Sequence, residues 1–228
     1  VPIPLPLGMP PSREEPRGLL DGLLTGRYDS PDDDREVTGP LFAPPIVPAR
    51  AITVPPGRDL VVELDTSGPP PAPAGWRPVR YQIGCTPDVL DDVLAVTAPA
   101  PLAVYVDGPD DTLADTARAL TEAGHVPGLP AGHGLGAVSD FLAVLAHADT
   151  GYVARATSTQ DVVALLSGTA AALSGFDIRE ALASPDVSWL RRLIPEAASA
   201  LREILLAVEV DDPGRVAREL GELGLSAG

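Results

Sequence analysis

The sequence predicts an α/β (or α+β) fold: a small sheet with packed helices, a helical C-terminal third and a Pro-rich extended N-terminal arm. Three observations predict it. Short apolar runs of strand length, at residues 79–84, 102–106 and 151–156, alternate with longer stretches of helical periodicity. Of the 27 prolines, 21 lie in residues 1–101 and 6 follow, so the two parts of the chain obey different backbone rules. The 228 residues are 45% hydrophobic and 21% charged, the composition of a chain that buries a core.

Proline fixes φ and removes a donor, so residues 1–75 read as a mostly extended arm ahead of an α/β domain at 76–228. Within the arm, residues 18–26 (GLLDGLLTG) read as a short helical piece that presents Leu19, Leu20, Leu23 and Leu24 as one apolar face. The run Asp32-Asp33-Asp34 lacks the glycine and distal glutamate of a calcium loop and reads as a solvated turn. Residues 51–54 and 59–65 read as strands around a Pro-Pro-Gly turn. The stretch 67–75 (SGPPPAPAG) is a semi-rigid spacer, with a ligand for a polyproline-binding module as the alternative.

From Trp76 the rhythm changes. Residues 79–84 (VRYQIG) read as a strand, and 87–96 as a helix opened by Thr86-Pro87. Residues 102–106 (LAVYV) form a buried strand closed by the Asp107-Gly108 turn. Residues 112–123 are helical, with Leu113, Thr116, Ala117 and Leu120 on one face. The Gly/Pro-rich stretch 124–136 is a connection, followed by a helix over 135–148 and a strand at 151–156. Thr157 and Gln160 suggest a capping box before DVVALLSGTAAAL. Helices are expected near 178–183, 186–193, 195–209 and 213–223, three of them opened by Pro185, Pro195 and Pro213.

Charge and composition exclude several functions. The 32 acidic residues against 16 basic ones give a net charge of −16, which argues against DNA, RNA or an anionic membrane as partner. Every basic residue is arginine, and lysine and asparagine are absent. Both missing residues use A-rich codons, so the chain points to a high-GC bacterium. No apolar run reaches the roughly 18 residues of a spanning helix. The start, VPIPLPLGMPPSREEP, has neither the basic beginning nor the apolar core of a secretory signal, so a cytoplasmic location is expected. The single cysteine excludes an internal disulfide.

Each chemical motif is incomplete. Gly132-His133-Gly134-Leu135-Gly136 follows a helix rather than a strand and has no lysine beside it, so it reads as a connector and not a nucleotide loop. His133, Asp140 and His147 recur every seven residues, about 10 Å per step on a helix, too far apart for one ion. No metal or cofactor is expected. Cys85 sits between a strand and a helix start, where a helix dipole would lower a thiol pKa, but no histidine adjoins it in sequence. Ser139-Asp140 lacks the G-x-S-x-G elbow of a serine hydrolase.

The pattern Gly132-x-x-Leu135-x-Ala137-Val138-x-Asp140-x-Leu142, within residues 102–157, resembles the second-helix segment of barstar-like ribonuclease inhibitors. The Gly108–Gly132 interval is similar to that family too, whereas Pro130-Ala131 stand where the family has an aromatic pair. The resemblance implies a small acidic α/β domain that plugs a basic protein's active site, with Asp140 as the inhibitory carboxylate and His133 and Gly134 in the loop before it. The expected function is therefore non-catalytic: binding of a basic protein partner. One alternative is an assembly subunit that docks through its Pro-rich arm and the Leu19, Leu20 and Leu23 face. Another is a small-molecule enzyme that uses Cys85 or the 124–136 loop.

Overall fold

Eight strands run parallel in one sheet of the computed structural model, which describes residues 17–30, 38–52, 58–65 and 78–225. They are β1 (Leu24–Thr25), β2 (Ile46–Pro48), β3 (Leu60–Glu63), β4 (Pro78–Cys85), β5 (Leu102–Val106), β6 (Val126–Leu129), β7 (Tyr152–Arg155) and β8 (Leu205–Glu209). Each strand pairs with its sequence neighbour from β2 to β8, and β8 pairs with β1. The free edges of β1 and β2 then meet. The Ile46 N–H donates to the Gly26 carbonyl at 2.9 Å, and the Tyr28 N–H donates to the Ile46 carbonyl at 2.9 Å. Parallel bridges join Leu24 to Phe42 and Arg27 to Ile46. The sheet is thus a closed parallel barrel with no open edge.

Helices clothe the second half of the barrel. Helix α1 (Leu90–Leu94) follows β4, α2 (Leu113–Glu122) follows β5 and α3 (Leu135–Leu145) follows β6. After β7 come α4 (Thr159–Ser174), α5 (Ile178–Ala183), α6 (Val187–Leu190) and α7 (Pro195–Ile204); α8 (Pro213–Glu222) follows β8. Alternate residues of each strand face the helices or the barrel interior. Tyr81, Ile83, Leu102, Val104 and Val106 face outward with Val93 and Leu120, while Ala103, Tyr105, Val126, Val153 and Ala207 pack together inside.

Several expectations change. The sheet is not small, because it has eight strands. Residues 24–63 are not a separate arm, since β1, β2 and β3 are staves of the same barrel as β4–β8. The 18–26 segment forms turns and β1 rather than a helix, and Leu20, Leu23 and Leu24 are wholly buried in the molecule's own core, with Leu19 half-buried against it. That burial removes them as a docking face. The 124–136 connection contains β6, and the 195–209 helix ends at Ile204, where the chain turns directly into β8. The strand expected at 51–54 begins instead in a 3-10 turn over Ala49–Ala51, and its last two residues lie outside the described residues. So do residues 1–16, the Asp32–Asp34 run and the 67–75 spacer. No helix among the described residues is long and apolar enough to cross a membrane.

Arg202 fastens the closure. It is fully buried at the end of α7 and donates to the carbonyls of Leu205, of Leu206 (2.8 Å) and of Gly22 (3.0 Å). Those carbonyls belong to β8 and to the turn entering β1, the two strands that seal the barrel. Burial lowers the arginine's pKa, and the converging carbonyl dipoles are what hold the charge inside. Arg202→Met leaves these carbonyls without donors and should cost roughly 2–4 kcal/mol in urea unfolding. A loss within about 0.5 kcal/mol would show that the carbonyls find other donors.

Helix α4, the longest, opens on a capping box. The Asp161 N–H donates to Ser158 Oγ at 3.1 Å, and Asp161 Oδ2 accepts from the N–H groups of Thr157 and Ser158 and from the Thr157 hydroxyl. Burial opposes ionisation of Asp161, but these donors outweigh it and hold its pKa below the ordinary 3.8. The unfolded chain therefore takes up the proton first. The cap's contribution is whole above about pH 4 and drains away as the pH falls through the folded value. Wild type should lose stability below about pH 4 more steeply than Asp161→Asn, read by urea unfolding at each pH. Parallel slopes would remove this carboxylate from the acid response.

Candidate functional site

Inward-facing positions of a parallel barrel are filled mainly by branched apolar side chains, and catalytic residues collect where strands end at the C-terminal face. Here the inward positions at that end are polar. β1 leads into Arg27, β3 ends in Glu63, β7 in Arg155 and β8 in Glu209, while β4 contributes Arg80 and Gln82 and β5 Tyr105.

Glu209 organises the group. It accepts from Arg27 Nη2 at 2.9 Å, from Arg155 Nε at 3.1 Å and from Gln82 Nε2 at 3.5 Å. Arg27 reaches across with Nη1 to Glu63 Oε1 at 2.8 Å. The Arg155 guanidinium lies 4.1 Å above the Tyr105 ring centroid, a cation–π stack. Tyr105 fits because β6 carries glycine beside it: a Cβ on Gly128 would sit 2.6 Å from the ring. Burial first, and Glu209 next, push the Tyr105 hydroxyl pKa up, so it stays protonated and can donate. Arg80 is mostly buried and its pKa is lowered by that burial. Its Nε and the Gln82 Oε1 are buried with no hydrogen-bond partner among the described residues.

Above this floor opens a cavity of about 790 Å³. Its walls come from the ends of β3 to β7, and include Asp65, Cys85, Thr86, Tyr105, Asp107 and Arg155. Asp65 is ion-paired to Arg50 at 2.6 Å, linking the ends of β2 and β3. Gly84 leaves part of the wall bare, since a Cβ there would meet nothing within 4 Å. Arg155 is held by Glu209 on one side and stacked on Tyr105 on the other, and no described residue takes a hydrogen bond from its two terminal nitrogens. It presents a fixed pair of N–H forks to the cavity, the geometry that suits a carboxylate or phosphate.

The residues singled out from sequence are placed apart. Cys85 lines the cavity, but burial and then Asp88 push its thiol pKa up, the reverse of helix-dipole activation. The turn that follows it is a single 3-10 turn before a five-residue helix, too short for a strong dipole. Asp140 is exposed on the outer side of α3. His133 lies before α3, where its Nδ1 donates to Asp110 Oδ1 at 2.7 Å; the Gly134 N–H donates to Asp110 Oδ2 at 3.1 Å. These bonds, His133's first, hold the Asp110 pKa below its ordinary value. His133 and His147 flank α3, which spans only Leu135–Leu145, so the seven-residue spacing lies on no single helix. Among the described residues no group of three or more His, Cys, Asp or Glu could hold a metal ion.

Sequence reasoning missed Arg27, Glu63, Arg80, Gln82, Tyr105, Arg155 and Glu209. The available signal was their position: Arg80 and Gln82 alternate in VRYQIG, and YVAR and LLAVE end on charge in strands that are otherwise apolar. Comparison with protein-family models, with curated proteins and with solved structures finds no match.

The raised thiol pKa has a direct readout. Alkylation of Cys85 by iodoacetamide should be slow at pH 7 and rise with a midpoint above that of free cysteine. A midpoint below the free value would restore the thiol as an activated nucleophile.

Proposed function

We propose that the barrel mouth binds a small molecule bearing an anionic group, with Arg155 as its receptor and the protonated Tyr105 beside it. One observation carries the reading: Arg155 is fixed from two sides while its terminal nitrogens are left to a cavity of about 790 Å³. Fold-level precedent supports the place, because barrels of this architecture carry their chemistry at the C-terminal face. Three guanidiniums, Arg27, Arg80 and Arg155, face two carboxylates in the cluster, and Asp107 on the wall above reduces that excess, so the attraction for an anion centres on Arg155. Asp107 and Thr86 on the wall are the candidates for proton transfer or positioning.

A thermal-shift panel of small carboxylates and phosphates tests the reading. A bound anion at about 100 times its Kd adds roughly 2.7 kcal/mol and raises Tm by roughly 5–10 °C. Arg155→Gln should abolish the rise, and so should Gly84→Leu, which fills the bare wall without touching the charged cluster. Equal shifts in wild type and Arg155→Gln, or no shift with any anion, would overturn it.

A second reading follows from the exposure of Asp140. A carboxylate on an outer helix face is available to a basic protein partner, as the barstar-like resemblance implies. Asp140→Ala separates the two readings, for it should leave the anion response intact and weaken only capture of a basic protein.

A further inference from the structure

We infer that the ligand of this mouth is an aliphatic monocarboxylate, with its carboxylate on Arg155 and its hydrocarbon chain in a second cavity under the β6–α3 connection. This rests on the anion-binding reading and adds the chemistry of the molecule. The second cavity, about 270 Å³, shares Arg155, Pro130 and Ala131 with the first. Arg155 therefore lines both spaces. The walls of the second are apolar: Leu129, Val138, Ala164, Leu165 and Leu182, with Leu135 at the rim and 47% exposed. Of its polar groups, Asp161 accepts through Oδ2 from Thr157 and Ser158, and His133 donates through Nδ1 to Asp110. The recess is thus mainly apolar, with the Asp161 carboxylate on its wall and one cation, Arg155, at its edge. Its volume gives room for roughly nine water-sized groups, a chain of four to eight carbons.

The charge of the head follows from the neighbouring helix starts. Barrels that bind phosphate commonly do so with the loops after strands 7 and 8 and a helix N-terminus there. Here one N–H at each of these two helix starts is taken by the protein's own oxygen: Asp161 N–H by Ser158 Oγ at 3.1 Å, and Arg215 N–H by Asp212 Oδ1 at 2.8 Å. Asp211 and Asp212 add negative charge after β8. One guanidinium then remains for the head, which matches a single negative charge better than a phosphate's two.

Isothermal titration of the full chain with acetate, butanoate, hexanoate, octanoate and hexyl phosphate tests this. Affinity should rise about fourfold per methylene until the recess is full, and then level off. Hexyl phosphate should bind at least tenfold more weakly than hexanoate. Arg155→Gln should lose hexanoate, and Ala164→Phe should flatten the chain-length dependence while leaving butanoate bound. The wild-type series stands even if a variant fails to fold. Affinity independent of chain length, yet lost in Arg155→Gln, would overturn this inference and leave the anion reading standing. Tighter binding of hexyl phosphate would overturn the carboxylate head. No binding by any of the five would overturn both readings.

Discussion

Closure of the barrel depends on a strand of two residues. β1 supplies only Leu24 and Thr25, yet its backbone must serve β8 on one side and β2 on the other. So short a ladder contributes few hydrogen bonds, and the buried Arg202 reinforces it by tying the turn before β1 to the start of β8. Packing adds to this, since Leu20, Leu23 and Leu24 seat the same segment in the core. The functional consequence lies two residues on. Arg27 extends from this strand over the top of the barrel and bridges Glu63 to Glu209, so the charged cluster exists only when the ring is shut.

The cluster itself works against stability. Charges drawn from water into a barrel carry a desolvation cost that pairing offsets only when geometry is good. Glu209 meets that condition with donors from three strands, and Arg155 gains a stacking partner in Tyr105. Arg80 does not: among the described residues its Nε has no partner, and neither has the Gln82 Oε1. An interior built for stability alone would carry branched apolar residues at these positions, as Val61 and Val153 do deeper in the same strands. Two unsatisfied polar atoms beside the charged cluster are consistent with a binding site there, although Asp21, Thr150, Ser167 and Arg202 carry others elsewhere.

Where local pattern and tertiary role agreed, the fold was legible. β4, β5, β7 and the helices α2, α3, α5 and α8 follow from apolar period and from proline or glycine at their ends. The misses have physical causes. β6 reads Val-Pro-Gly-Leu, two of its four residues being poor strand formers that the barrel tolerates because Gly128 makes room for Tyr105. β8 follows α7 without a turn residue, so Leu201, Ile204 and Leu205 continue one apolar period across the change. In GLLDGLLTG the leucine spacing fits a helix, but the core that claims those leucines is assembled from α3, α4 and α8, far away in sequence. The site stayed hidden for the same reason. Its residues lie on or just beyond six strands, β1, β3, β4, β5, β7 and β8, and only closure of the ring makes them neighbours.

The overall charge of −16 bears on what such a site can select. At physiological salt the screening length is about 8 Å, so surface carboxylates are felt weakly inside the mouth, while Asp107 on the wall is felt more strongly and Asp65 is offset by its ion pair with Arg50. A dianion is repelled twice as strongly by that wall as a monoanion, yet within the cavity it finds the same one guanidinium, that of Arg155. The local balance thus tilts toward one negative charge. Further selection must come from shape and apolar contact, and the recess beside Arg155 is where the protein offers it.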